Sequence, residues 1–385
     1  MELIQQRTPL IELYAALKRP SAFSLVDVGC SGGIDPVFKK LGLKLRALGI
    51  DASLDEIERL RKGNTFQGVH YIDGLVGLPE GHPFLMEQGE SLSSHNPWDR
   101  LSACRSILIR ERLRPYQSHE EKMRDNQWRS TRLSTNRITL ADTMTVQGFT
   151  DVDLLKIDID GPDFLALQSL HRRFNEFGLL AVVMEVNFFG GERPTDHTFH
   201  NTDRFMRRNG FELFGLTTRL YSVSSLPSVF QWGAPCQTMS GRPFQGDALY
   251  MRDICSMAPP IPERFLTPEK LINAVLLFSL FGLPDCAAEL LLAKKELLAA
   301  HLDIDEFLDA LTKQSVCMQG GIPENVSSYQ ELMALYESDP PEFYMGAAGG
   351  IDAGKVLARR VAVFAYRWRK LGLKLGLVKK FLFEW

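Results

Sequence analysis

The sequence predicts an α/β protein, a seven-stranded doubly wound sheet with an α-helical appendage on its C-terminal side. Three observations predict it. Short apolar, β-branched runs alternate with helix-compatible segments along the first 250 residues. The first of these runs, SLVDVGCSGG (residues 24–33), passes straight into a Gly/Ser-rich bend that opens a helical segment. Three successive runs also end in aspartate, at Asp27, Asp51 and Asp73. Strands alternating with helices imply right-handed crossovers and a parallel sheet, whose ligand crevice lies beyond the carboxyl ends of the strands.

The elements follow in order. Residues 1–21 read as a leading helix, because Glu2 comes early and no uninterrupted apolar stretch marks a signal peptide. Strand one and its glycine turn are followed by a helical segment over 35–43, a second strand at 45–51 (LRALGID), a helix over 54–61 and a third strand at 67–73 (QGVHYID). Residues 74–137 break this rhythm. They are polar and irregular, with one short helical candidate near 106–113, and an insertion this long between strands reads as a lid or wall.

Order resumes with ITLADTM (138–144), a fourth strand at 153–159 (DLLKIDI) and a helix from Pro162, where proline suits the first turn. LLAVVMEVNFF (179–189) is the most strand-like run in the chain; a helix over 202–209 and two closing strands, 211–217 and 247–252, complete the sheet. Prolines at 259, 260 and 262 then mark a linker, and Thr267-Pro268-Glu269 is a strong helix start. Three helices over 268–281, 285–300 and 304–314 follow, and then a loop rich in Pro, Gly and acids. The domain reading is therefore an N-terminal helix (1–21), an α/β domain built on the sheet (22–257, with its insertion at 74–137), a helical domain (258–350) and a basic amphipathic tail (351–385).

Composition narrows the class. With 45% hydrophobic and 24% charged residues, the 385-residue chain is an ordinary globular sequence able to bury a large core. Its six cysteines (30, 104, 236, 255, 286 and 317) are scattered without a CxxC pair, which argues against a disulfide framework or a thiolate zinc site and fits a reducing compartment. No apolar run approaches the roughly 18–20 residues that span a bilayer. The expected location is cytoplasmic, either free or peripheral on the cytosolic membrane face.

The glycine turn decides the cofactor class. A dinucleotide fingerprint needs glycine at 29, 31 and 34, but the chain has Gly29, Ser31 and Ile34. What it carries is Asp27-x-Gly29-x-Ser31-x-Gly33, the acid-glycine pattern associated with S-adenosylmethionine (SAM). A pyrophosphate seeks backbone N–H groups; SAM brings an ammonium and a sulfonium, both cationic, and favours a carboxylate such as Asp27. Asp51, 24 residues on, suits the ribose hydroxyls, and Asp73 lies where the adenine would sit. The bland reading of Asp27 and Gly29 is a strand-end cap and turn, which three strand-end aspartates make less economical.

These residues resemble a known family. SLVDVGCSGG, Asp51, ESLSS (90–94), ITLADTM, DVDLLKIDIDGPDFLALQSL (151–170) and VVMEV (182–186) look like the FkbM family of SAM-dependent methyltransferases, over roughly residues 22–252. The most specific piece is LLKIDIDGPDFLAL, with Lys156, Asp158, Gly161 and Asp163 at the family's Lys, Asp, Gly and acid positions. The resemblance implies a class I (Rossmann-like) methyltransferase fold acting on a hydroxyl of a sugar or a natural product. The chain departs from the family at Cys30-Ser31-Gly32 and in carrying Asp163 for the commoner Glu.

Methyl transfer needs an aligned acceptor and removal of its proton. Asp158 ends the strand beside the first and is the expected catalytic carboxylate. Lys156 shares its strand face by the two-residue period, and serves either to orient a carboxylate or as a buried structural partner. Asp158, Asp160 and Glu185 are hard oxygen ligands on one edge able to hold Mg²⁺ or Ca²⁺; the alternative is direct proton removal by Asp158 or by a histidine, His197 or His200 in DHTFH. Two histidines on a polar loop are also an ordinary solvated pair, and Asp163 also reads as a helix N-terminal acid.

Residues 355–385 hold nine Lys/Arg and one acid, so a net charge of −3 divides into a basic tail of +8 and an acidic body of −11. With Trp368, Trp385 and phenylalanines at 364, 381 and 383, the tail reads either as a helix on an anionic membrane surface or as one packed on the body or a partner subunit. The acidic body argues against nucleic acid. The expected activity is O-methylation of a sugar hydroxyl in a glycan, lipid-linked if the tail binds membrane. The alternatives are O- or N-methylation of a small natural product, and a non-catalytic scaffold on the same fold.

Overall fold

The computed structural model describes residues 3–4, 8–18, 22–79, 81–88, 132–159, 161–191, 193–222, 226, 228–229, 238–257, 260–318, 322, 326–338, 340 and 343. The polar stretch with ESLSS and the helical candidate at 106–113, the residue Asp160 and the basic tail lie outside the described residues.

The strands are β1 (Phe23–Val28), β2 (Leu45–Asp51), β3 (Val69–Asp73), β4 (Leu75–Val76), β5 (Arg137–Ile138), β6 (Leu154–Ile157), β7 (Ala181–Asn187), β8 (Glu212–Leu216), β9 (Arg219–Tyr221) and β10 (Arg242–Met251). The main sheet runs β3-β2-β1-β6-β7-β10-β8, with β9 added on β10. All neighbours are parallel except those of β10. The chain order reverses between β1 and β6, which places the switch-point crevice at their carboxyl ends. The doubly wound, seven-strand path expected from sequence is therefore present. Its extra member, β9, is a three-residue strand too short to show a period. The ends of the 74–137 insertion are also structured, because β4 and β5 pair in parallel and close its base.

The helices are α1 (Leu10–Ala16), α2 (Pro36–Lys39), α3 (Leu54–Gly63), α4 (Pro83–Gln88), α5 (Leu140–Val146), α6 (Asp163–Gln168), α7 (Phe199–Arg208), α8 (Pro268–Leu280), α9 (Pro284–Ala293), α10 (Lys295–Leu298), α11 (Ile304–Met318) and α12 (Tyr329–Ser338). Thr267 caps α8 by accepting from the Lys270 N–H at 3.3 Å, as its sequence start signals require. Two expectations change. The segment 35–43 is only a four-residue helix followed by a 3-10 turn, and the loop after 314 contains α12, whose half-buried stripe of Tyr329, Leu332, Met333 and Tyr336 has helical spacing.

Strand periodicity divides the core in two. Val26, Val28, Leu48, Leu155, Val182 and Met184 face one layer, covered by α5, α6 and α7. Phe23, Leu25, Ala47, Leu154, Val183 and Leu249 face the other, where Leu271, Val275 and Phe278 of α8 join the same cluster. Every residue of α8 from Lys270 to Leu280 is buried. The helices after 258 thus share a core with the sheet. A polar node reinforces this: the buried Asp153 carboxylate accepts from Lys270 Nζ at 2.6 Å, Asn273 Nδ2 at 2.9 Å and Ser24 N at 2.8 Å. Among the described residues no helix is long and apolar enough to cross a membrane.

Candidate active site

On the face covered by α8, each strand's stripe turns from apolar to polar toward the same edge. Phe23 and Leu25 lead to Asp27; Leu154 leads to Lys156 and then Asp158; Ala181 and Val183 lead to Glu185 and Asn187. The antiparallel β10 brings Asp247 opposite Glu185 and Gln245 opposite Asn187. Strand period and parallel register thus gather the ionisable groups at one crevice.

Asp27 and Lys156 are register partners on β1 and β6, with Nζ 2.9 Å from Oδ1. Burial pushes the Asp27 carboxyl above its ordinary range, opposed by the Lys156 ammonium. Burial alone would lower Lys156, but Asp27 and Asp158 outweigh it and hold its pKa above the usual lysine value. Lys156 is therefore a cation at neutral pH, able to orient and to stabilise but not to accept a proton. Asp158 Oδ2 lies 3.9 Å from the same Nζ, with its side chain 48% exposed.

The turn after β1 is shaped for close approach. Gly29, Gly32 and Gly33 all have φ near +85°. A Cβ at Gly29 would lie 1.8 Å from the Asp158 carbonyl oxygen, whereas one at Gly32 would meet nothing within 4 Å. The Gly29 and Cys30 N–H groups both donate to the Ile50 carbonyl, at 2.7 and 3.2 Å. Asp51 and Asp73 are register partners at the ends of β2 and β3. Asp51 Oδ1 accepts from Ser53 N at 2.7 Å, and Asp73 Oδ2 accepts from Ser134 Oγ at 2.8 Å. A glycine turn open on one side, with carboxylates at three adjacent strand ends, suits a ligand carrying cationic groups and ribose hydroxyls. The residues present fit SAM: Asp27 and the turn of Gly29, Ser31 and Gly33 would hold its amino-acid end, and Asp51 its ribose.

A cavity of about 130 Å³ opens beside this turn, lined by Lys156, Ile157, Asp158, Val183, Met184, Glu185, Arg219 and Asp247. Two carboxylates directly opposed across strands repel. Arg219 of β9 resolves this by donating to Glu185 Oε2 at 2.8 Å and to Asp247 Oδ1 at 2.9 Å. Gln245 Nε2 donates to the other Glu185 oxygen at 2.6 Å. Burial depresses the Arg219 pKa, but Asp247 and Glu185 outweigh it and keep the guanidinium charged.

The metal expectation at Asp158, Asp160 and Glu185 falls partly outside the described residues. Glu185 already serves Arg219 and Gln245, Asp160 lies outside the described residues, and no group of three or more His, Cys, Asp or Glu among the described residues is placed to hold a metal ion. Of the two histidines, His200 is exposed on α7. It is His197, nearly buried, that reaches the strand edge. Arg219, Gln245 and Asp247 went unrecognised in the sequence: they belong to the antiparallel hairpin, whose placement beside β7 no local pattern announces. The one available signal was the polar start of the β10 stripe, Gln245 and Asp247, ahead of its apolar run.

Residues 91–213 match the family model described as Methyltransferase FkbM domain. No curated protein matches the chain in a sequence comparison. Among solved structures the chain is similar to a TehB-like SAM-dependent methyltransferase from Corynebacterium glutamicum (15% identity, 63% of this chain and 86% of that one, TM-score 0.25). It is also similar to a SAM-dependent methyltransferase from Aquifex aeolicus (9% identity, 64% and 90%, TM-score 0.25) and a methyltransferase from Bacillus halodurans (13%, 63% and 96%, TM-score 0.26). The family match is narrower than the span of the resembling motifs, leaving out the glycine turn, Asp27 and Asp51 while including all of KIDIDG and VVMEV. What the comparisons give this chain is a match to a methyltransferase FkbM domain over residues 91–213.

Proposed function

We propose that the chain methylates a hydroxyl of a sugar within a glycan, with Asp158 as the base. The observation that carries this reading is Asp158 itself, half-exposed on the wall of the polar cavity and beside the glycine turn. Bound SAM supplies a methyl group on a positively charged sulfur. Asp158 takes the proton of the acceptor hydroxyl as its oxygen becomes the nucleophile. Lys156, already a cation, stabilises the carboxylate and cannot compete for the proton. Five of the eight lining residues are charged, which supports an acceptor dense in hydroxyls that donate to carboxylates and accept from Lys156 and Arg219.

Calorimetric titration of the full chain with SAM and S-adenosylhomocysteine tests the cofactor half, and absence of heat with both would remove it. The Asp158→Asn variant is expected to bind S-adenosylhomocysteine normally while losing about 10²–10⁴ in turnover on a glycan acceptor with free hydroxyls. Full turnover in that variant would show that another group takes the proton.

A further inference from the structure

The segment that carries Asp158 leaves the sheet through residues 158–163, and its backbone is fastened at each described step. The Asp158 N–H donates to the Val28 carbonyl at 2.8 Å. The Ile159 and Gly161 N–H groups donate to Asp163 Oδ1 and Oδ2, at 2.8 and 2.9 Å. Asp163 is fully buried, so this carboxylate lies inside the turn it organises.

The Gly161 carbonyl faces His197 Nδ1 at 3.1 Å, and His197 Nε2 faces the Glu185 carbonyl at 2.8 Å. The imidazole thus bridges the Asp158 loop and the end of β7, the strand that supplies the adjoining cavity wall. Its other neighbours are Asp163 Oδ2, 3.9 Å from Nδ1, and Asn187 Nδ2, 3.3 Å from Nδ1 and also 3.3 Å from the His197 carbonyl. Phe164 stacks on the ring at a centroid distance of 6.5 Å. The Glu185 carboxylate is turned to Arg219 and Gln245.

We infer that His197 is a positioning residue, which clips the Asp158 loop to β7 through its two ring nitrogens and so fixes where the carboxylate meets the acceptor. This rests on the reading of Asp158 as the base, but the clip itself is measured without an acceptor. The sequence motif DHTFH contributes through its first histidine, and in a role one step removed from the chemistry.

Hydrogen exchange of the full chain, followed in peptides covering 158–161 and 23–28, separates the clip from general stability. His197→Phe keeps a ring against Phe164 and removes both polar contacts; His197→Gln restores one amide donor. A neutral ring has one N–H to share between the two accepting carbonyls, so the Phe variant loses at least one hydrogen bond of about 1 kcal/mol and should exchange at 158–161 about fivefold faster or more, with 23–28 unchanged. The Gln variant should recover part of that protection, and both should bind S-adenosylhomocysteine within about twofold of the parent chain, each 1.4 kcal/mol being tenfold. Unchanged exchange in the Phe variant would overturn the inference. So would a rise in both peptides together, or a Gln variant no better protected than Phe. Because the cofactor titration and the Asp158→Asn turnover are read separately, a failed clip and a misassigned base give different results.

Discussion

Asp27 and Lys156 form a directly bonded ion pair at the site. Both are largely withdrawn from water, with side-chain exposures of 7% and 17%. Removing one partner strands the other, so Lys156→Met should cost about 3–5 kcal/mol of unfolding free energy, and adding Asp27→Asn should return a substantial part of it. Urea melts of the single and double variants check this; an additive double variant would show that the pair is not coupled. A raised Asp27 pKa also gives a sign to cofactor binding. Below that pKa the carboxyl is neutral and attracts the cofactor's ammonium weakly; as pH rises through it the carboxylate forms, so SAM affinity should climb from acid toward neutral pH, with the climb absent in Asp27→Asn. At this scale the sequence showed Asp27 and Asp158 because they end strands. It could not show that Lys156 chooses Asp27 over Glu185, since that follows from β6 lying between β1 and β7, with the register Asp27↔Lys156.

The element that joins sheet to chemistry is the turn after β1. Its glycines are required by backbone geometry at Gly29, where φ is +85° and the Asp158 carbonyl occupies the space of a side chain. Gly29→Ala should lose about 1–2 kcal/mol to the left-handed backbone alone. It should also push apart the ends of β1 and β6, so SAM affinity should fall more steeply than stability. Comparing the Tm shift with a calorimetric Kd tests that ordering; an alanine variant with parental affinity would show that the turn yields freely. Elements with a clear period or strong end signals were legible: β2 spans the residues its sequence run marks, and α8 starts at its capping threonine. The three-residue β9 and α12, a short stripe after a loop rich in Pro, Gly and acids, were not.

Across the whole molecule the sheet needs both of its covers. Leu25, Leu154, Val183 and Leu249 lie against α8, and Asp153 is locked to Lys270 and Asn273 of that helix. A chain ended at residue 257 would expose this face and leave a buried carboxylate without its cation. It should retain far-UV signal yet bind hydrophobic dye and lose its near-UV spectrum, as a molten state does. A sharp, two-state melt of the truncated chain would contradict this packing. By itself the sequence determined the alternation of strand and helix, the strand-end acids, the glycine turn and the KIDIDG segment, because each is written in local period, backbone freedom and residue chemistry. Only the tertiary structure decided that the C-terminal helices close one face of the sheet, that Arg219 bridges Glu185 and Asp247, and that His197 and not His200 reaches the edge. Those contacts join residues twelve to more than a hundred positions apart, and they exist only once strand order and register have brought distant chemistry to one rim.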